Sequence, residues 1–253
     1  MSTHDQQTHD QQKHDQQKRQ FLRHISCCGG ALAATFYSGN IQAAVSKKTD
    51  LTPRQALNLL KEGNAKFINE NPQSARMNKE RRLEIARGQT PIAVLVGCSD
   101  SRVPPELLFG RGLGELFIVR NAGNTVDTVA EGSIEYAVAE LGVPLIVVMG
   151  HQRCGAVEAA VSVVEKQTNY PGSIGQMIEP IVPAVLKAKA GFGGKPYTQE
   201  ALLDASVRAN VTRVTNRLRL SQALLLEPLR TKKLMIVGAR YDLDDGHVDF
   251  FEE

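Results

Sequence analysis

Cysteine is scarce in this chain: four occur in 253 residues, and two of them, Cys27 and Cys28, lie in the N-terminal segment. The remaining pair, Cys98 and Cys154, forms no Cys-x-x-Cys motif, which argues against a dithiol redox enzyme. Histidine is concentrated in the same N-terminal segment, at His4, His9, His14 and His24, so only His151 and His247 remain beyond it. Charge of one sign is not in excess either. A formal net charge of +3 leaves no basic footprint of the kind nucleic-acid binding requires. No apolar run reads as a membrane-spanning helix, so no membrane anchor is expected. Tryptophan is absent altogether. What is present is ample for one domain with a real core: 253 residues, 42% of them hydrophobic.

The first 44 residues are set apart by composition. A five-residue unit repeats three times over residues 3–17, as THDQQ, THDQQ and KHDQQ, with no apolar residue to bury, and reads as a disordered extension. A basic stretch from Lys18 to Arg23, a small-residue apolar stretch and Ile41-Gln42-Ala43-Ala44 follow. This order resembles a twin-arginine export signal with lysine in place of the first arginine, and cleavage is expected after Ala43 or Ala44. The expected location is the periplasm, or the cytoplasm if the segment is not an export signal. Folding and metal loading before transport would keep Cys98 and Cys154 reduced. Residues 45–253 are expected to form a single domain.

Within that domain two short clusters carry the chemistry: Cys98-Ser99-Asp100-Ser101-Arg102 and His151-Gln152-Arg153-Cys154. Each follows a short valine- and isoleucine-rich run bounded by Pro and Gly, Ile92 to Val96 and Leu145 to Met149, and such runs read as buried parallel strands. The clusters therefore emerge where open α/β sheets form their binding crevice. Two thiolates and one imidazole satisfy a zinc ion and leave one position open, the outline of a catalytic site. The alternatives are a Cys98–Cys154 disulfide or two inert buried thiols. A metal-competent neighbour beside each cysteine favours zinc. A structural zinc would ordinarily show four protein ligands.

Further strands are expected at Leu116 to Arg120, Leu234 to Val237 and His247 to Phe251. Thr52-Pro53-Arg54-Gln55 is a capping box that opens an amphipathic helix, with residues 69–79 an extended polar arm and Lys79 to Gly88 a short helix. Helices are also expected from Pro104 to Gly110, Thr128 to Leu141 and Cys154 to Lys166, the last of which would favour thiolate at its N-terminus. A long helix over residues 199–227 carries Leu203, Val207, Val211, Val214, Leu218 and Leu225 on one stripe. Its arginines at 208, 213, 217 and 219 read as a solvated or subunit-facing surface. Gly110, Gly112 and Gly114 precede a strand instead of following one, so they read as turn residues and not as a dinucleotide loop. The expected fold class is α/β: a mainly parallel central β-sheet flanked by helices, with an N-terminal helical arm.

Four segments, CSDSRVPPE at 98–106, FIVRNAGN at 117–124, HQRCG at 151–155 and VGARYDLDDG at 237–246, give the chain from about residue 52 onward a specific resemblance to the β-class carbonic anhydrases. The resemblance implies zinc, one ion per subunit, bound by Cys98, His151 and Cys154. It implies reversible hydration of carbon dioxide to bicarbonate by hydroxide generated at the metal and oriented by a catalytic Asp100–Arg102 pair. Gln89 falls where plant-like members place a substrate-orienting glutamine, and Phe117 and Tyr136 fall where they line the site. Read without the family, Gln89 is a loop residue and the two aromatics are core packing. Members form dimers, often paired into tetramers, with the glutamine reaching across the interface, and the segment over residues 52–79 looks suited to wrapping a neighbour. The family's bicarbonate-inhibited subset uses a pocket containing tryptophan, so the chain is expected to belong to the non-allosteric, plant-like subtype. Hydrolysis of carbonyl sulfide or carbon disulfide on the same zinc chassis is the alternative activity. His247 reads as a turn-flanking surface residue.

Overall fold

The valine-rich runs form the centre of a five-stranded sheet in the computed structural model, which describes residues 48–71, 75–221 and 224–251. The repeat and export-like segment over residues 1–44 lie outside the described residues. Strands β1 (Ala93–Cys98), β2 (Leu116–Asn121), β3 (Leu145–His151) and β4 (Met235–Tyr241) are parallel, and β5 (Val248–Phe251) runs antiparallel to β4. The order across the sheet is β2-β1-β3-β4-β5. The chain steps from β1 to β2 on one side, then returns past β1 to place β3 on the other. That reversal makes the space between the carboxyl ends of β1 and β3 a topological switch point, where open α/β sheets bind their ligands.

Both central strands are buried along their whole length, which is why they read as continuous apolar runs and not as an alternation. Successive side chains still face opposite sides. Val94, Val96, Ile146 and Val148 meet α4 (Thr128–Ala139) and α8 (Gln199–Leu220). Ala93, Leu95, Leu145, Val147 and Met149 meet α1 (Pro53–Ile68) and the short α3 (Pro105–Leu108). A third apolar cluster gathers at the carboxyl end of the sheet. There α5 (Gly155–Lys166), α6 (Gly172–Ile178) and α7 (Val182–Gly191) enclose Cys98 and Cys154 with Val157, Ile181, Val185 and Val207.

The expected capping box is present. Thr52 Oγ1 accepts from the Gln55 N–H at 3.3 Å, and Gln55 Oε1 accepts from the Thr52 N–H at 2.9 Å. The helix it opens covers the sheet of its own chain, with Ala56, Leu57 and Leu60 wholly buried, and so belongs to the domain core. The polar stretch beyond it runs to α2 (Lys79–Ile85), and at Arg76 its backbone lies against the glycine-rich turn before β2. A Cβ on Gly112 would stand 2.8 Å from the Arg76 backbone, so this glycine serves close chain approach and no phosphate.

One expected element differs. The long helix ends at Leu220 instead of continuing to residue 227, because Ser221 turns extended (φ −64°, ψ 119°), and a separate short helix, α9 (Leu226–Arg230), follows. Leu225 nevertheless stays in the core cluster of Val211, Val214 and Leu218, although it lies beyond the end of that helix.

Candidate metal centre

Cys98 and His151 are the last residues of β1 and β3, and Cys154 is the N-cap of α5. The switch point thus delivers a sulfur and an imidazole from adjacent strands, and a two-residue turn delivers the second sulfur. Their ligand atoms all lie within 4.8 Å of one another, and both cysteines are free thiols with sulfurs 3.9 Å apart. His151 Nδ1 lies 2.9 Å from the Gln152 carbonyl, which can only accept, so Nδ1 carries the proton. Nε2 is then the ring nitrogen left for a metal. It is fully buried and has no hydrogen-bond partner.

The two sulfurs divide in character. The Cys98 thiol is drawn down, first by the thiol of Cys154, then by His151 and by the Gly123 N–H, which points at its Sγ from 3.4 Å. Cys154 moves up, first through its contact with the Cys98 sulfur and then through burial. The expected helix-terminus effect is present, with the N–H groups of Val157 and Ala156 favouring thiolate, but these stronger influences outweigh it.

At the rim stands Asp100. Arg102 Nε and Nη2 donate to its two carboxylate oxygens at 2.9 and 2.7 Å, and the Arg102 backbone N–H adds a bond of 2.9 Å. The guanidinium holds this carboxyl well below the usual carboxylate range. Asp100 Oδ2 lies 3.8 Å from His151 Nε2, so the ionised oxygen faces the same space as the imidazole lone pair.

Sequence reasoning missed the residues that hold this loop. Arg120, near the end of β2, donates to the carbonyls of Cys98 and Asp100, both at 2.7 Å. Parallel pairing places it level with Gly97, and a charged residue ending a strand beside a ligand was the available signal. Asn210, buried on α8, donates to the Gly123 carbonyl at 2.8 Å and so fixes the glycine that serves Cys98. It was legible only as a polar residue beside an apolar stripe.

Three expected site residues are not brought to the centre within one chain. Phe117 pairs with Val94, four residues before Cys98, which is about 13 Å back along the strand. Tyr136 on α4 lies beside it, ring centroids 6.4 Å apart, and is 51% exposed. Gln89 is in the segment leading into β1, at that same amino end of the sheet. His247 sits exposed in the turn before β5, where its N–H donates to Asp245, away from the centre.

A family model described as carbonic anhydrase matches residues 93–248. Carbonic anhydrase 2 of Mycobacterium tuberculosis is 39% identical over 194 residues, covering 77% of this chain and 90% of that protein. The chain belongs to the β-class carbonic anhydrases. The Mycolicibacterium smegmatis carbonic anhydrase is 38% identical over 198 residues, covering 78% of this chain and 92% of its own. Among solved structures, the Coccomyxa β-carbonic anhydrase in complex with acetazolamide is similar with a TM-score of 0.62 at 30% identity, covering 76% of this chain and 85% of that one. One of two tetrameric β-carbonic anhydrases of Sordaria macrospora also gives 0.62, at 26% identity, covering 70% and 88%.

As a carbonic anhydrase the chain uses zinc, and the residues fit it. Two thiol sulfurs and an unpartnered buried imidazole nitrogen converge on one point, an arrangement that is costly unless a cation satisfies it. Among the described residues no helix is long and apolar enough to cross a membrane.

Proposed function

We propose that this carbonic anhydrase hydrates carbon dioxide reversibly at zinc held by Cys98 Sγ, His151 Nε2 and Cys154 Sγ, with Asp100 as the orienting catalytic group and Arg102 as its clamp. The observation that carries the reading is the orphaned His151 Nε2 beside two free sulfurs, with an ionised carboxylate oxygen 3.8 Å away. Zinc supplies Lewis acidity that makes hydroxide available from water near neutral pH. The chain's residues do the rest. Asp100, acceptor-only when ionised, takes the nucleophile's hydrogen bond and so turns its lone pair toward the carbon of carbon dioxide. Arg102 occupies both carboxylate oxygens and would so keep Asp100 turned away from a bound metal.

Gln89, Phe117 and Tyr136 act on the site of a neighbouring subunit. Their place at the opposite end of the sheet supports action in trans, and the half-exposed Tyr136 suits a covered interface. In that neighbour's pocket the aromatics form an apolar wall, and Gln89 donates to the oxygen where negative charge grows. The assembly is a dimer or a tetramer, and the similar Sordaria macrospora enzymes are tetrameric. Mixed dimers test this. A Gln89→Ala subunit paired with an Asp100→Asn subunit contains one intact site if Gln89 acts in trans, and none if it acts in cis. Activity near half of wild type is expected, and activity no higher than that of either homodimer contradicts it.

Carbonyl sulfide and carbon disulfide present the same kind of linear electrophile. The family places carbon dioxide first, and turnover of either sulfur compound above that of carbon dioxide would reverse the order. With no tryptophan, the chain lacks the bicarbonate pocket of the inhibited subset, so its rate is non-cooperative in bicarbonate. Residues 45–253 are the enzyme domain, and the leader-like segment ending at Ala43 or Ala44 carries it to the periplasm. A mature N-terminus beginning there on protein from the native host is the expected result.

A further inference from the structure

Between the ligands His151 and Cys154, Arg153 adopts a left-handed backbone (φ +51°), a conformation uncommon for residues other than glycine. One side chain outside the centre holds both residues between these ligands. Asp244, in the turn before β5, accepts from Gln152 Nε2 and Arg153 Nη1 through Oδ2, both at 3.1 Å, and from Arg153 Nη2 through Oδ1 at 2.6 Å. The Leu243 N–H donates to Gln152 Oε1 at 3.1 Å, so the Gln152 amide is tied to this turn at both ends. The turn is itself anchored. The Asp244 N–H donates to Asp242 at 2.9 Å, Asp242 pairs with Arg240 of β4 at 3.0 Å, and Arg240 reaches Asp204 of α8 at 2.5 Å.

The consequence of this clamp lies at the rim of the centre. The Arg153 carbonyl accepts from Arg102 Nη2 at 3.4 Å, and that same nitrogen donates to Asp100 Oδ2 at 2.7 Å. We propose that Asp244 is a positioning residue of this carbonic anhydrase: by fixing Gln152 and Arg153 it sets the carbonyl that aligns Arg102 against Asp100. The inference rests on the role given above to the Asp100–Arg102 pair. A contribution to stability is not what the clamp supplies. The side chains of Asp244 and Arg153 are 62% and 46% exposed, and ion pairs so open to solvent add little to folding. Three hydrogen bonds on one carboxylate, aimed at the two residues between two ligands, instead define a geometry.

The test uses the zinc-loaded enzyme with Asp244→Asn, Arg153→Ala, the double variant and Asp100→Asn. Asparagine keeps an acceptor for Gln152 and loses the carboxylate that Arg153 needs. Asp244→Asn is expected to keep its zinc and melting temperature and its KM for carbon dioxide, while kcat falls about tenfold, the lower end for outer-sphere partners of a metal site. Arg153→Ala should fall similarly, and adding Asp244→Asn to it should cost less than about twofold more, because both act through one contact. The inference is overturned if Asp244→Asn keeps kcat within twofold of wild type, if it costs the same with or without Arg153, or if its loss merely follows lost zinc. Asp100→Asn separates the two levels. If it is inactive while Asp244→Asn is fully active, the positioning role alone fails. If it is itself active, the Asp100–Arg102 reading fails and takes this inference with it.

Discussion

Replacing Asp100 with asparagine removes one charge and almost no volume, so its effect reads the chemistry and not the fold. In the native site Oδ1 accepts from the backbone N–H and Nε of Arg102, each at 2.9 Å, and Oδ2 accepts from Nη2 at 2.7 Å. Asparagine keeps the first two bonds through its carbonyl, but its amide then faces the Nη2 donor. One charge-assisted bond is lost and donor meets donor. With Arg102 half exposed and Asp100 mostly buried, this misalignment is set at about tenfold in rate. Loss of the acceptor that orients the nucleophile adds about a further 10²-fold, the ordinary scale of a positioned acid–base group. The product is a fall in kcat of about 10³-fold. KM should change little, because the interaction matters in the transition state. Stopped-flow hydration with a pH indicator measures it, alongside zinc analysis on the same sample. Zinc should stay at one per chain, since the three ligands are untouched. A variant that binds zinc and retains kcat within threefold would refute the role given to Asp100.

Other outcomes follow from the packing and charge around the centre. Gly123→Ala should destabilise the fold by about 2–4 kcal/mol in denaturant titrations, combining left-handed backbone strain with overpacking; its φ is +81°, and a Cβ there would lie 2.5 Å from Ile181 Cδ1 and 3.2 Å from the Ala156 Cβ. An unchanged midpoint would show that the loop yields freely. Asp242 is held below the ordinary carboxylate range, first by the Asp244 N–H and then by Arg240. A depressed native value means that the ionised form stabilises above the unfolded value of about 4, and that this is lost as pH falls through the native value. The stability gap between wild type and Asp242→Asn should therefore be constant from pH 7 to about 5 and close below about 4. A gap that widens on acidification would contradict it.

Much of this arrangement is legible in the sequence. The runs preceding Cys98 and His151 are apolar because β1 and β3 are buried on both faces, so composition alone located the sheet's centre and the ligands at its carboxyl end. The strands extend further than the apolar runs, taking in Cys98 and His151 themselves, because backbone pairing does not stop where the side chains become polar. The break of the long helix at Ser221 was hidden for a related reason. Leu225 continues the apolar stripe in sequence, yet it joins the core from beyond the end of the helix. Asn210 and Asp244 were not legible as parts of the site, since each reaches it through a contact spanning tens of residues. The positions of Gln89, Phe117 and Tyr136 could not be read from spacing either. Lying near a ligand in sequence, Gln89 is separated from it in space by the full length of a strand.

The most direct test of the centre is zinc content and carbon dioxide hydration followed together through chelation and reconstitution. One zinc per chain, activity lost in proportion to zinc removed, and activity restored by zinc in wild type but not in Cys98→Ser are the results expected of a sulfur–nitrogen–sulfur site. Full hydration activity in zinc-free protein, or full zinc occupancy in Cys98→Ser with wild-type activity, would contradict it.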